Sequence, residues 1–395
     1  MTVSLTAPQT WSIATSRTLA MDADLVTGGN AITIVGGGTT TLATVSGGGA
    51  LNILGLPGGT GGVVTLKGNN GLAGLGAVTV GGGAQLNIDQ NVLGQNKLGD
   101  AATLTLNRAT LNLQGALGGT EVVGNVVLGA GRNELKRSAG AGILAMNAVT
   151  RSSADAVLNV QIAGIATTDT SNNVNAILGS WGVIGFSDWA VSAASASDTS
   201  ITALAAGSYT TQANPNSWAA GQKILLNATG AAANTADRTI ANLKIASAVA
   251  VTVDLGAVNT LTLNDGSDST GGILRNQNVA TTFNNGFITA GVANDATADT
   301  LYVWNGANTM TMGSIIKNNG ADPLAVVFTG NGSGSASTGV LALNSANTFT
   351  GGLVINAGTV NLGSAGVASD GATLGAGTVR NNGLLTINKT NIAHT

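Results

Sequence analysis

Asn347-Thr348-Phe349-Thr350-Gly351-Gly352-Leu353-Val354-Ile355-Asn356-Ala357-Gly358-Thr359-Val360-Asn361-Leu362-Gly363 is the stretch that decides the fold. Two short apolar runs, Leu353 to Ile355 and Val360 to Leu362, flank an Asn-Ala-Gly turn signal and follow a Gly-Gly corner. Period-two alternation in runs this short reads as strands with one inward face, not as helix. Strand, tight turn, strand, corner is one coil of a β-solenoid. The alternation points Leu353, Ile355, Val360 and Leu362 inward, onto equivalent aliphatics of adjacent coils.

The same grammar recurs along the chain. Val78-Thr79-Val80, Gly81-Gly82-Gly83 and Ala84-Gln85-Leu86-Asn87-Ile88 form one unit. Leu104-Thr105-Leu106, Asn107-Arg108-Ala109 and Thr110-Leu111-Asn112-Leu113 form another, and Thr378-Val379 through Leu384-Leu385-Thr386-Ile387 a third. Units recur at roughly 20 to 25 residues, the range of solenoid coils, without regular two-residue hairpin loops. The expected organisation is coils over 1–164, an irregular insert over 165–230, and resumed coils over 231–395. The insert holds Trp181, Trp189 and Trp218 with Phe186, Tyr209 and Pro215 between Ala/Ser/Thr-rich spacers. No segment has sustained helical periodicity with caps, so helix should occupy below about a tenth of residues, against a usual third.

Composition fits this all-β reading. Among 395 residues there are 59 glycines, only 3% aromatics and 44% hydrophobic residues. The glycines follow no Gly-X-Y period, which excludes collagen, and the apolar content excludes a disordered chain. Charged residues make up 8% with a net charge of −3, so little repulsion separates copies. Fifteen scattered Lys and Arg supply no basic face for nucleic acid. No run of about 18 apolar residues predicts a membrane helix. The first residues, Met1 to Pro8, lack the basic and apolar regions of a secretion signal. There is no cysteine, so no disulfide frame is available.

Residues that carry chemistry are sparse. The single histidine, His394, lies near the end of the sequence, which argues against histidine-dependent triads and metal sites. Catalysis on a solenoid would need paired carboxylates. The candidates are Asp22 with Asp24, Asp265 with Asp268, Asp295 with Asp299, and Glu121 with Glu134, and turn or cap roles account for them. Gly58-Gly59-Thr60-Gly61-Gly62-Val63 imitates a calcium-binding glycine turn but lacks its aspartate. Asp265-Gly266-Ser267-Asp268 is a better oxygen cluster for a hard cation, read here as a solvated loop. No Lys-Ser/Thr or helix start follows the glycine turns, so no phosphate cradle and no cofactor is expected. Arg132-Asn133-Glu134-Leu135-Lys136-Arg137 is the one charge-dense patch, an exposed turn or a contact for acidic groups on a partner. Arg132, Lys136 and Arg137, with Trp181, Trp189 and Trp218, are therefore the candidate ligand or partner surface. The indoles could stack on sugar rings or anchor a small satellite core. Asn227, Asn331 and Asn388 begin Asn-x-Ser/Thr triplets, expected by chance in a chain this rich in Asn and Thr.

The Asn347 to Gly363 segment resembles the autotransporter-associated β-strand repeat of large bacterial surface proteins. Pro8-Gln9-Thr10-Trp11 with Arg17-Thr18-Leu19 resembles the opening of their coils. Trp181-Gly182 with Asp188-Trp189-Ala190-Val191 resembles an insert in secreted proteins of planctomycete and verrucomicrobial type. Gly271-Gly272-Ile273-Leu274 with Gly286-Phe287-Ile288-Thr289 resembles the coils after that insert. The resemblance covers about 20 residues closely and the rest loosely. It implies a right-handed parallel β-helix outside the cell or on its surface, and it brings no catalytic residue.

The expected function is structural and non-enzymatic: a subunit of an extracellular fibre or surface matrix. A terminal coil exposes unpaired backbone groups unless a cap or charge protects it. Val3, Ser4 and Leu5 at one end, and Leu384, Leu385, Thr386 and Ile387 at the other, are strand-like without capping signals. They are the expected head-to-tail contact between copies. The alternative is a monomeric adhesin that binds a surface polysaccharide through the 165–230 insert.

Overall fold

The computed structural model describes residues 2–56, 61–68, 76–91, 97–192, 199–230, 232–267, 269–332, 339–363 and 371–389. Strands occupy 52% of the protein, and stacked parallel sheets form a β-solenoid of about 14 turns. Among the described residues the only helical pieces are two 3-10 turns, Ala206–Ser208 and Pro215–Ser217. The expected all-β solenoid class is what the molecule adopts. The chain divides into two compact units, one of Met1–Ser171 with Ala190–Thr202, the other of Asn172–Trp189 with Ala203–Thr395.

In the first unit the opening coils contribute one strand to each of two ladders. One ladder runs Thr2–Ser4, Thr18–Val26, Thr39–Ser46, Val63–Leu66, Gln85–Asp89, Thr110–Gln114, Gly131–Arg137 and Ala156–Val160, each parallel to the next. The other runs Gln9–Ile13, Ile32–Gly36, Leu51–Leu54, Ala77–Gly81, Thr103–Asn107, Val126–Leu128 and Val149–Arg151. A third, shorter ladder joins Thr120–Val123, Ile143–Met146 and Ala166–Thr168, which ends antiparallel against Thr199 and Ser200. Parallel pairing in register keeps one face inward, so Trp11, Ile34, Ile53, Val80, Leu106 and Leu128 stack in a column. Ile34 through Leu128 are at most 4% exposed. A side chain of this size contributes roughly 1.5–3 kcal/mol when buried.

Outward residues of the same strands form polar ladders. Asn87 donates to Thr65 Oγ1 at 3.1 Å, across 22 residues, and Asn112 donates to Asn87 Oδ1 at 3.0 Å, across 25. These intervals show the coil length directly. Coil length varies because only the corners change: Asn52 reaches Thr33 across 19 residues.

The second unit is three-sided. Its first ladder runs Lys223–Leu226, Asn242–Ile245, Thr270–Arg275, Asp299–Asn305, Leu324–Gly330, Leu353–Ala357 and Val379–Asn381. Its last runs Val251–Asp254, Thr281–Asn284, Asn308–Met312, Gly339–Leu343, Thr359–Leu362 and Leu384–Ile387. Between them lie Arg238–Ile240, Thr260–Leu263, Phe287–Ala290 and Ile315–Ile316. Leu353, Ile355 and Val360 are fully buried and Leu362 is 7% exposed, in a cluster with Phe328, Val303, Ile273 and Leu343. The motif that opened the sequence reading has the inward register expected of it. Gly352 makes its corner possible, because its φ is +95° and a Cβ there would lie 2.6 Å from the Thr378 carbonyl.

Of the span 165–230, Ala166–Thr168 is still a coil strand and coils resume at Lys223–Leu226. Between them, Gly182–Ile184 and the start of Asp188–Ser192 pair antiparallel, Val183 with Trp189. This 172–189 segment lies over the outward face of Thr270–Arg275 and Asp299–Asn305. Trp304 Nε1 donates to the Ser180 carbonyl at 2.9 Å, and Phe186 meets the Trp304 ring edge-on at 5.4 Å. Those strands are buried on both faces, which is why Asp299–Asn305 has no exposed residue.

Candidate functional site

The tryptophans offered as a stacking surface are interior. Trp181, Trp189 and Trp218 are 8, 0 and 2% exposed. Trp181 and Trp189 belong to the 172–189 layer, while Trp218 joins the core of the second unit and donates to the Gln212 carbonyl at 3.1 Å. None presents a ring face to a sugar. Packing in the interior is therefore the role of all three, in the 172–189 layer for Trp181 and Trp189 and in the main core for Trp218.

The charged patch is a strand and not an exposed turn, because Gly131–Arg137 pairs on both edges. Arg132, Glu134 and Lys136 alternate outward from it. Arg132 forms a salt bridge with Glu134 at 3.3 Å, and Arg137 Nη1 donates to the Gly142 carbonyl at 3.2 Å. The patch is half-buried, and two of its charges, Arg132 and Glu134, pair with each other.

The acidic residues are mostly engaged in holding backbone. Asp265 is fully buried; its carboxylate accepts from Thr270 Oγ1 at 2.7 Å, Ser267 N at 3.0 Å and Ser180 N at 2.7 Å. It thereby ties the 172–189 segment to its coil; its expected partner, Asp268, lies outside the described residues, as do His394 and Gly58 to Thr60. Asp188 accepts from the Tyr209 hydroxyl and from Lys244 Nζ, and burial with the Asp188 carboxylate pushes the Tyr209 phenol far above its ordinary range. Glu121 accepts from the backbone amides of Lys97 and Leu98. Burial pushes its carboxyl up to about 7, against the opposing pull of those amides. Glu134, its sequence-level companion, is instead bonded to Arg132 and Asn159.

Asp299 is the exception. It is fully buried, and neither carboxyl oxygen has a hydrogen-bond partner among the described residues. Burial, with Asp295 and Asp322 nearby, pushes it up to about 7. Asp295 caps Thr297 N at 2.8 Å instead of pairing with it. Among the described residues no three His, Cys, Asp or Glu side chains stand where they could share a metal ion. Arg275 was not singled out by sequence. It is inward-facing in the same register as Ile273 and fully buried, donating to Thr281 Oγ1 at 2.9 Å and Asn305 Oδ1 at 2.8 Å. Burial lowers it to about 10. Its parity with Ile273 is the one sequence signal of this role, as a staple across adjacent coils.

At the outermost described coils, backbone groups also lack a neighbouring strand on one side. Thr2–Ser4 pairs only with Thr18–Val26, and Gln9–Ile13 only with Ile32–Gly36. At the other end Val379–Asn381 pairs only with Leu353–Ala357, and Leu384–Ile387 only with Thr359–Leu362. The expected contact residues Val3, Ser4, Leu5, Leu384, Leu385, Thr386 and Ile387 thus all lie on strands or strand ends with one open edge. The core column is open there too, with the inward Val379 36% and Ile387 51% exposed, and the outward Leu384 is 40% exposed. No charged side chain lies on Thr2–Ser4, Gln9–Ile13 or Leu384–Ile387, and Arg380 is the one charge on Val379–Asn381.

Fold and site together define a β-solenoid whose outermost described strands each pair on one side. No protein-family model, curated protein or solved structure matches the chain. No helix among the described residues is long and apolar enough to cross a membrane.

Proposed function

We propose that this protein is a structural, non-catalytic subunit that stacks end to end, through its outermost coils, into an extracellular fibre or surface matrix. The observation that carries the reading is the pair of open coil edges, uncapped among the described residues and backed by exposed apolar side chains. Backbone edges of this kind accept a further strand from another chain. A contact between unlike ends is heterologous and propagates unless its rotation closes a ring. The low charge density, 8% of residues, opposes such contact weakly.

Extracellular placement follows the resemblance of Asn347 to Gly363 to the surface-protein repeat. A polysaccharide-binding role through the 165–230 span would need exposed rings, and its three tryptophans are buried. Electron microscopy of the purified protein tests the proposal. Regular fibres are the expected result; particles of single-chain size at every concentration would overturn it.

A further inference from the structure

The two open ends are not equivalent, and the difference lies in which backbone amides they leave free. In a parallel ladder a residue's N–H and C=O point to the same neighbouring strand, and successive residues alternate. Inward residues of both units donate towards the next coil: Gln9 to Ala31, Ile32 to Ala50, Leu104 to Asn125, Val251 to Ala280 and Leu353 to Thr378. Outward residues donate to the preceding coil: Thr39 to Arg17, Gln85 to Gly62, Thr110 to Ala84 and Leu384 to Gly358. The sense is the same in each unit because the ladders keep inward residues stacked on inward residues.

It follows that, among the described residues, the first coil leaves the amides of its outward residues open, Ser4, Thr10 and Ser12. The last leaves those of its inward residues open, Val379, Asn381, Leu385 and Ile387. These sets are the two halves of one ladder. The corners match as well: three residues, Asn382 to Leu384, separate inward Asn381 from inward Leu385. Three residues, Thr6 to Pro8, separate inward Leu5 from inward Gln9.

Resting on the end-to-end reading above, we infer a polar junction of one register, in which the last coil of one copy sits on the first coil of a second. Val379 stacks on Val3, Asn381 on Leu5, Leu385 on Gln9 and Ile387 on Trp11. The half-exposed Ile387 and the exposed Val379 are covered by apolar side chains that are themselves only partly buried in the free chain. On the outer surface Thr386 lies beside Thr10, and Asn388 beside Ser12. Asn381 stays at the corner, where its Oδ1 already accepts from Gly383 N at 2.9 Å.

The register is testable by disulfide trapping, because the protein has no cysteine of its own. Paired residues on adjacent strands lie about 4.8 Å apart, within the Cα separation a disulfide spans. T386C and T10C are made as separate variants and mixed under mild oxidation. The expected result is linked dimers in the mixture only, with the 386–10 bridge identified by peptide mass. N388C with S12C is a second, independent pair should either threonine variant fold poorly. Linked dimers from T386C alone, or from T10C alone, would overturn the polarity. Fibres by electron microscopy without a bridge in either mixture would overturn the register and leave the end-to-end reading standing. Absence of any association by microscopy would overturn that reading itself, and the junction with it.

Discussion

Ile355 lies between Phe328 and Asn381 in its column, with no exposed surface. An aspartate there would place an unpaired charge in the core, at a cost of about 3–5 kcal/mol. Ile355→Asp should lower the melting temperature and unfold the neighbouring coils; an unchanged melt would contradict the register. Gly352→Ala should cost about 1–3 kcal/mol, since its backbone is left-handed and a Cβ meets the Thr378 carbonyl. Glu121 and Asp299 make a different prediction. Both carboxyls titrate near 7 in the folded protein, above the 4.5 and 3.8 of free Glu and Asp. The folded state therefore holds protons that the unfolded chain has lost. Their contribution is fully present below about pH 4 and disappears as pH rises through about 7, at about 1.4 kcal/mol per pH unit per group. The protein should melt at a higher temperature at pH 5 than at pH 8. Asp299→Asn should shrink that difference and leave the share of Glu121, and a variant with the full pH dependence would rule out Asp299 as a source.

At the scale of the element, each strand is short and gains its stability from neighbours above and below. The 172–189 segment is a second kind of element, a layer whose attachment depends on a few named bonds. Trp304 to the Ser180 carbonyl, Asp265 to Ser180 N and Lys244 with Tyr209 on Asp188 hold it to the coils. Trp304→Phe keeps a ring against Phe186 but leaves the buried Ser180 carbonyl without this donor, a loss of about 1–3 kcal/mol. Hydrogen exchange at Gly182 to Ile184 should rise in that variant while exchange in the Leu353–Ala357 coil stays unchanged. Equal acceleration in both would mean that the layer and coils open as one.

At the scale of the whole molecule, the open edges set the expected behaviour. Leu385→Pro removes an N–H that no described residue accepts, so it should stop fibre growth; its side chain packs on the core, so stability should also fall by about 1–3 kcal/mol. Leu384→Pro removes the bond to the Gly358 carbonyl and should lower the melt as well. Normal fibres from Leu385→Pro would show that growth does not use this edge. The coils themselves were legible in Asn347 to Gly363, because a narrow stack admits one inward parity and a glycine corner, and both are written locally. The fate of Trp181, Trp189 and Trp218 was not legible. An indole reads alike whether it faces solvent or, as Trp189 does, the strand at Gly272 more than eighty residues away in sequence. The carboxyl state of Glu121 and Asp299 and the inward Arg275 were equally hidden, because desolvation depends on which coils stack around a residue. Local alternation of side chains determined the coil; only packing across distant coils decided which polar and aromatic groups it would enclose.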